Sequence, residues 1–447
     1  MSIIISFIKK LLKKKSTKKP QQTGIQEPSS PNYFKGAQLV TREHHPISKV
    51  NISDNALKVL NRLTSQHQKA YLVGGSVRDL YIGQTPKDFD IATNALPTLV
   101  RKLFRNSRII GRRFKLVHVL FYRDVLEVAT FRKEASQASS EENKTNQHGM
   151  VIADNCYGTL QEDVWRRDLS INALYYDHTS SSIIDFVGGV EDLNKKLIRI
   201  IGDPLLRYEE DPVRILRVIR FASKLNFQIE KKTQQAIAKK SHLLAQVPSS
   251  RLFEEVVKLF HTGNAIDTLA QLQNEDLFKY LFPLTAPLLE SDPNVADLIR
   301  YTLESTDSRI AAKKPVTPAF FFAAFLWPAL MEETTLLQNN GLALLAALEN
   351  AMNSVLSKQS KHVSIPKRFT QAMREMWVLQ LRLPKRFGIR AFKTLEHPRF
   401  RAAYDFLLIR TLAGEEEPEL ADWWTTFQEM DETEQQNMIN QLRNTNT

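Results

Sequence analysis

The chain has 447 residues, 43% of them hydrophobic, which is ample for a core and points to roughly two to four domains. No apolar run approaches the length of a membrane span. The single cysteine, Cys156, excludes an intramolecular disulfide and fits a reducing, cytoplasmic setting, while the net charge of +12 calls for an anionic partner.

That charge is uneven. Lys9, Lys10, Lys13, Lys14, Lys15, Lys18 and Lys19 lie in the first twenty residues, where there is no acid. Ile3, Ile4, Ile5, Phe7, Ile8, Leu11 and Leu12 are interleaved with them, so residues 2–15 have the pattern of a basic amphipathic helix. The lysines follow the apolar run, which is the wrong order for a secretory signal. The segment is expected to be disordered in solution and to bind anions weakly, with RNA tethering and contact with the inner face of a membrane both open. Residues 16–50, rich in Lys, Gln, Ser and Pro, read as a linker.

Ser53 is placed to cap a helix running to about Gln66, with Leu57, Leu60 and Leu63 inward. Strands are then expected at 70–73, 88–92, 107–110, 115–122 and 124–130, with helices near 76–82 and 97–105. The last two strands read as a hairpin turning at Arg123-Asp124. Within this section stands YLVGGSVRDLYIGQTPKDFDI (71–91). Side chains at i and i+2 of a strand share a face, so Asp88 and Asp90 present two carboxylates side by side with Phe89 turned into the core. Such a pair suits Mg²⁺, which binds through one or two carboxylates plus substrate phosphates. Gly74-Gly75, after an apolar strand and before a helix, lets the backbone approach a phosphate. Arg78 is a candidate nucleotide ligand, the alternative being a local salt bridge with Asp79. Glu127, in the poorly alternating VLEVATF, reads as buried on both sides of its strand. A carboxylate there needs a metal or a partner, and Arg132 or Arg112 would be the partner.

The polar stretch 133–149 lacks periodicity and is expected to be a mobile loop. A helix is expected around Arg167–Tyr176, a strand at 182–186, a turn at Gly188-Gly189 and a strand at 197–201. Arg166 and Arg167 at the helix start are candidates to hold a triphosphate. Asp168 and Asn172, four apart and so on one face of that helix, would meet ribose hydroxyls or shape the metal site. Asp168 as a plain helix cap competes with this.

Beyond Pro204 the strand signal vanishes and helices are expected at 211–225, 230–245, 249–262, 264–273, 292–305, 318–331, 333–357, 367–381 and 398–412. Asp211-Pro212 has the chemistry of a helix start. Asp211 and Arg214 can bond each other and offer a donor–acceptor edge to a base, with Arg217 on the neighbouring face; an i,i+3 surface salt bridge is the simpler alternative. Between Arg382 and Arg401, Lys385, Arg386, Arg390, Lys393 and Arg399 face one acid, Glu396. Phe387, Phe392 and Phe400 are interleaved, a composition that suits single-stranded nucleic acid, although core packing competes for the aromatics.

LVGGSVRD, the Asp88–Asp90 pair, RRDLSINALYY, FVGGVEDL and EEDPVRILRVIRFASKL occur here in one order and spacing. The set resembles the class II nucleotidyltransferase family of bacterial poly(A) polymerases and tRNA CCA-adding enzymes, over about residues 50–265. IIGRRFKLVHVLF (109–121) and RFRAAYDFLLIR look like the poly(A) polymerase branch and extend the resemblance over nearly the whole chain. The resemblance implies an α+β protein, with a small mixed-sheet, five-stranded nucleotidyltransferase head followed by an all-helical neck, body and tail. The corresponding divisions are 1–50, 51–200, 201–265 and 266–447. It implies RNA 3′ ends and ATP as substrates and two Mg²⁺ ions, or Mn²⁺, as cofactor. A monomer is expected, with RNA-degradation machinery as a further partner. By matching motif, Asp88 and Asp90 are metal ligands and Asp168 a further catalytic carboxylate, while Glu127 is better placed to complete the metal cluster; both stay open. Gly74, Gly75, Arg78, Arg166, Arg167, Asn172, Asp211, Arg214 and Arg217 are assigned to nucleotide, and Arg112, Arg113, Lys385, Arg386, Arg390 and Arg399 to RNA. The chain ends in QLRNTNT without the long basic tail of some relatives, so the lysine-rich N-terminus is expected to substitute or processivity to be lower.

Overall fold

The computed structural model describes residues 36–111, 115–122, 124–133, 143–145, 151–154 and 156–445. The lysine-rich segment 1–20, Arg112 and Arg113 lie outside them. Strands run in chain order β1 (Gln38–Val40), β2 (Ala70–Val73), β3 (Asp90–Thr93), β4 (Ser107–Ile110), β5 (Leu116–Phe121), β6 (Asp124–Thr130), β7 (Asn143–Thr145), β8 (Val151–Asp154), β9 (Tyr175–Asp177), β10 (Ser182–Asp185), β11 (Leu197–Ile198) and β12 (Gln228–Ile229). Eight of them form one sheet in the order β1-β10-β9-β2-β3-β6-β5-β4. β3 and β6 pair in parallel and the other neighbours are antiparallel.

Ser53 caps the helix Asp54–Thr64 by accepting from the Ala56 N–H. That helix and Pro97–Leu103 bury Ala56, Val59, Leu60, Leu63 and Val100 against Leu72, Ile91, Val117, Val119, Leu126 and Val128 on one sheet face. The opposite face carries a smaller cluster in which Tyr71 stacks on Phe131 and Tyr175 meets both edge-on.

Four expectations fail here, each for a tertiary reason. The sheet exceeds five strands because β1, inside the expected linker, pairs with β10 and the β9–β10 hairpin joins β2. Part of the expected loop forms β7, which pairs with β8. The segment 167–176 is not a helix. Residues 169–176 are all buried, passing through a short 3-10 turn at Ser170–Asn172 into β9, where Tyr175 and Tyr176 enter opposite cores. Asp168 and Asn172 therefore share no helix face. At Gly188-Gly189 a helix, Gly189–Lys195, begins instead of a turn. The Asp185 carboxylate accepts from the N–H groups of Val187, Gly188, Gly189 and Val190, and a Cβ at Gly189 would collide with the Ser170 carbonyl.

Beyond residue 204 the chain is helical apart from β12, which pairs with β11 and ties the neck helix Val213–Leu225 to the head. A helix missed in the sequence, Pro204–Glu210, precedes it. The expected break near residue 332 falls instead at Gly341, between Pro318–Asn339 and Leu344–Ser360. Pro318–Asn339 is, by length and composition, apolar enough to cross a membrane, contrary to expectation. Its run Phe321–Leu330 is buried, with Phe321, Phe322 and Phe325 packed on Phe260 and Phe282, so it is the core helix of the body.

Candidate active site

β2 ends at Val73 and the chain turns through Gly74 at φ 74°, a conformation that favours glycine, into the helix Gly75–Tyr81. The Gly74 N–H donates to the Leu174 carbonyl at 3.3 Å. A Cβ on Gly74 would stand 3.5 Å from Arg167 Nη1, so the glycine turn and the RRD segment are packed together.

Strand register places Asp90 opposite Val73, at the foot of that turn. Ile91 pairs with Val128, so Asp90 has Glu127 as its neighbour one step back on the parallel strand. Asp88 precedes the strand rather than lying in it, yet it is exposed beside Asp90 while Phe89 packs against the core. Burial by the surrounding protein pushes Asp90 up to about 6; Glu127 and Asp88 add to the rise and Arg167 opposes it. Negative charge is thus under-compensated at this point. β6 alternates cleanly, with Leu126, Val128 and Thr130 buried and Glu127 exposed, so Glu127 is not enclosed on both sides as the sequence suggested. Its partner is His118, at 3.2 Å, rather than Arg132.

Among the described residues no three His, Cys, Asp or Glu side chains are gathered tightly enough to hold a metal by themselves. Mg²⁺ needs only one or two carboxylates when phosphates supply other ligands, and Asp90 beside Asp88, with its negative charge disfavoured, is a donor set that a divalent cation would relieve. The residues present fit such an ion.

The RRD segment is organised by a residue the sequence reading passed over. Asp163 is buried at the base of the helix Leu160–Trp165. It accepts from Arg166 Nε (2.8 Å), Arg167 Nη2 (3.1 Å), the Arg132 N–H (3.0 Å) and the Tyr175 hydroxyl. Burial alone would raise its pKa; Arg167, Arg166 and Tyr175 outweigh that and hold it at about 2. Arg167 also donates to the Tyr175 hydroxyl and the Asn172 carbonyl, so all three of its nitrogens are spent on the fold. The i,i+3 and i,i+4 spacing of Asp163 to the two arginines was the available signal.

Arg78 bonds Asp79 at 2.6 Å and Asn172 Oδ1 at 2.6 Å and is buried, so the local salt bridge is formed and extended to the RRD turn. Asp168 faces the neck: Arg217 pairs with it and the Leu169 N–H donates to it, which overrides burial and keeps it below the usual carboxylate range. The expected Asp211–Arg214 side-chain bond is absent, although the Arg214 N–H donates to the Asp211 carbonyl at 3.1 Å. Asp211 pairs with Arg251 at 2.6 Å and accepts the Val213 N–H, while Arg214 donates to Glu210 at 2.7 Å and to the Arg207 carbonyl. The i,i+4 spacing of Glu210 to Arg214 was a local signal for that pair, whereas nothing local in the sequence marked Arg251 as the partner of Asp211.

Family models match three parts of the chain: a poly A polymerase head domain over 70–199, a probable RNA- and SrmB-binding site of polymerase A over 226–289, and a polymerase A arginine-rich C-terminus over 340–447. A protein of Salmonella typhi named poly(A) polymerase I is 46% identical over 90% of this chain and 88% of its own length. The chain belongs to the bacterial poly(A) polymerase family. A CCA-adding enzyme of Lactobacillus helveticus is 40% identical, but over only 46% of this chain and 49% of its own. The fold is shared more widely: the Bacillus stearothermophilus CCA-adding enzyme in complex with CTP superposes with a TM-score of 0.54 at 25% identity, covering 82% of this chain and 80% of that one. As a poly(A) polymerase family member the protein is a nucleotidyltransferase, a class that uses a nucleotide substrate and a divalent metal.

The basic tail segment of this family member divides in two. Arg386 pairs with Glu419 (3.4 Å) and Arg399 with Glu375 (3.1 Å). Lys385 and Arg390 are exposed and, among the described residues, have no carboxylate partner.

Proposed function

We propose that the protein extends RNA 3′ ends with adenylate, without a template, transferring AMP from ATP and releasing pyrophosphate. The observation that carries this is the crowding of Asp90 by Glu127 and Asp88 at the foot of the Gly74 turn. Asp88, Asp90 and Glu127, together with substrate phosphates, would hold two Mg²⁺ ions, or Mn²⁺ in their place, which would supply the Lewis acidity of the reaction. The RNA 3′-oxygen bonds to the α-phosphorus of ATP as the bond from that phosphorus to the αβ-bridging oxygen breaks, and the proton of the hydroxyl passes to solvent. The Gly74-Gly75 backbone cradles the departing phosphates, and Arg166, paired with Asp163 but part-exposed, is the arginine of the RRD segment assigned to help hold them. Arg167 and Arg78, whose nitrogens are committed within the fold, shape that cradle from behind. Asp211 and Arg214 read the base by exchanging Arg251 and Glu210 for adenine, with Asp168–Arg217 fixing the neck helix against the head. The same reading has the protein act in the cytoplasm as a monomer whose products feed RNA turnover, with the lysine-rich segment adding weak grip on RNA or on the membrane face.

Incubating the purified chain with a generic RNA and each single NTP tests the reading. Long A tracts from ATP alone are expected. Addition that stops after C-C-A on tRNA would reassign the protein to the CCA-adding branch, and no addition with any nucleotide would remove the enzymatic reading.

A further inference from the structure

The three phenylalanines of the basic tail segment have different fates. Phe400 is buried beside Trp424, and Phe392 packs on Phe427. Phe387 remains 44% exposed, and Ile389, two residues on, 68% exposed. Between them Gly388 adopts φ 53°, ψ −141°, a conformation essentially closed to other residues, and nothing lies within 4 Å of where its Cβ would be. The turn is pinned from the inside. Arg386 lies over the Trp423 ring at 5.5 Å and pairs with Glu419, which leaves the next side chain, Phe387, facing outward. Three cations flank it, Arg382, Lys385 and Arg390, all exposed and without a carboxylate partner among the described residues.

We infer that this turn, between the helices Lys367–Arg382 and Ile389–Leu395, is a stacking platform for a base of single-stranded RNA, with Arg382, Lys385 and Arg390 taking the flanking phosphates. An exposed aromatic held by a glycine-only turn among uncompensated cations offers a π-face and phosphate neutralisation together, which a folded protein partner or a lipid surface does not need in that combination. The inference rests on the reading of the protein as one that acts on RNA, and it adds a contact point outside the catalytic head.

The test is binding of a fluorescent oligoadenylate to the full chain, titrated with salt. Phe387→Ala is expected to weaken binding about fivefold or more at every salt concentration, because stacking is not screened. Phe387→Trp should restore affinity and Phe387→Leu should not. Lys385→Ala with Arg390→Ala should instead flatten the salt dependence, by about 0.7 in the log–log slope for each phosphate no longer neutralised. Wild-type affinity in Phe387→Ala, or full rescue by Phe387→Leu, overturns the inference and marks the patch as an apolar docking surface for another partner. Melting curves of each variant separate these results from misfolding. Failure of the wild-type chain to adenylate RNA would instead strike the functional reading and leave the binding result standing.

Discussion

Two sets of carboxylates in the head differ in how their charge is met. Asp163 and Asp168 are enclosed and matched by arginines, and both are held below the usual carboxylate range. Asp88, Asp90 and Glu127 lie at the surface with no arginine bonded to them among the described residues, and desolvation by the surrounding protein, with Glu127 and Asp88 adding to it, pushes Asp90 up to about 6. A matched carboxylate holds the fold together. An unmatched cluster is relieved when a cation joins it, which is why the proposed chemistry is assigned there.

The largest effect is expected from the unmatched set. Asp88→Asn or Asp90→Asn keeps side-chain shape but removes charge, so nucleotide addition should fall on the order of 10²–10³ or more. Melting temperature should hold or rise slightly, because a crowded negative charge is gone. Activity within tenfold of wild type would end the distinction drawn between the two sets.

Asp163→Asn tests the matched set. Breaking a buried pair by removing one partner typically costs about 3–5 kcal/mol, here with two arginines left uncompensated. The pH dependence sharpens the point. A pKa near 2 in the folded state, against an ordinary 3.8, contributes about 2 kcal/mol. That stabilisation is complete above the unfolded value and is lost as pH falls through about 2. Urea titrations between pH 2 and 5 should show this limb in the wild type and lack it in Asp163→Asn. Parallel curves would mean that Asp163 is not the hub.

Local signals make part of this contrast readable in the sequence. The apolar Leu72-Val73, the glycine pair and a following helix announced the turn, and Asp88-Phe89-Asp90 announced the carboxylates, because both depend on neighbours in sequence. Ser53 as a cap and the β5–β6 hairpin were legible for the same reason. The helix expected at 167–176 fails because residues 169–176 are buried on every side, which removes the periodicity that separates helix from strand. β1 was hidden in a polar context that makes sense only once β10 offers an edge. Long-range partner choice was the least legible feature: Asp211 with Arg251 is decided by which helices pack together, whereas Glu127 with His118 follows from the hairpin register and Arg214 with Glu210 from i,i+4 spacing.

Glu127 and Asp168 were the rival third carboxylates, and the charge contrast assigns them different behaviour. Glu127→Gln should raise the Mg²⁺ requirement about tenfold while leaving stability nearly unchanged, since its His118 contact is half-exposed. Asp168→Asn leaves Arg217 without its pair at the head–neck contact. It should raise the apparent ATP requirement with little change in the metal titration. Indistinguishable metal titrations for wild type and Glu127→Gln would remove Glu127 from the unmatched set.

Arg214 lies between the two categories, and the smallest effect is expected there. Its pair with Glu210 is matched, but Glu210 is half-exposed, and such pairs are worth at most about 1 kcal/mol. Exchanging that contact for a base is therefore inexpensive, which suits a selectivity residue better than a structural one. Arg214→Ala should lower the ATP-to-CTP incorporation ratio about fivefold, the equivalent of one hydrogen bond, while changing stability by less than about 1 kcal/mol. Glu210→Ala should leave the ratio in place, because it frees Arg214 without removing it. If both variants lower the ratio equally, the Glu210–Arg214 pair acts as a unit that shapes the helix start. If neither does, adenine is read elsewhere on the neck.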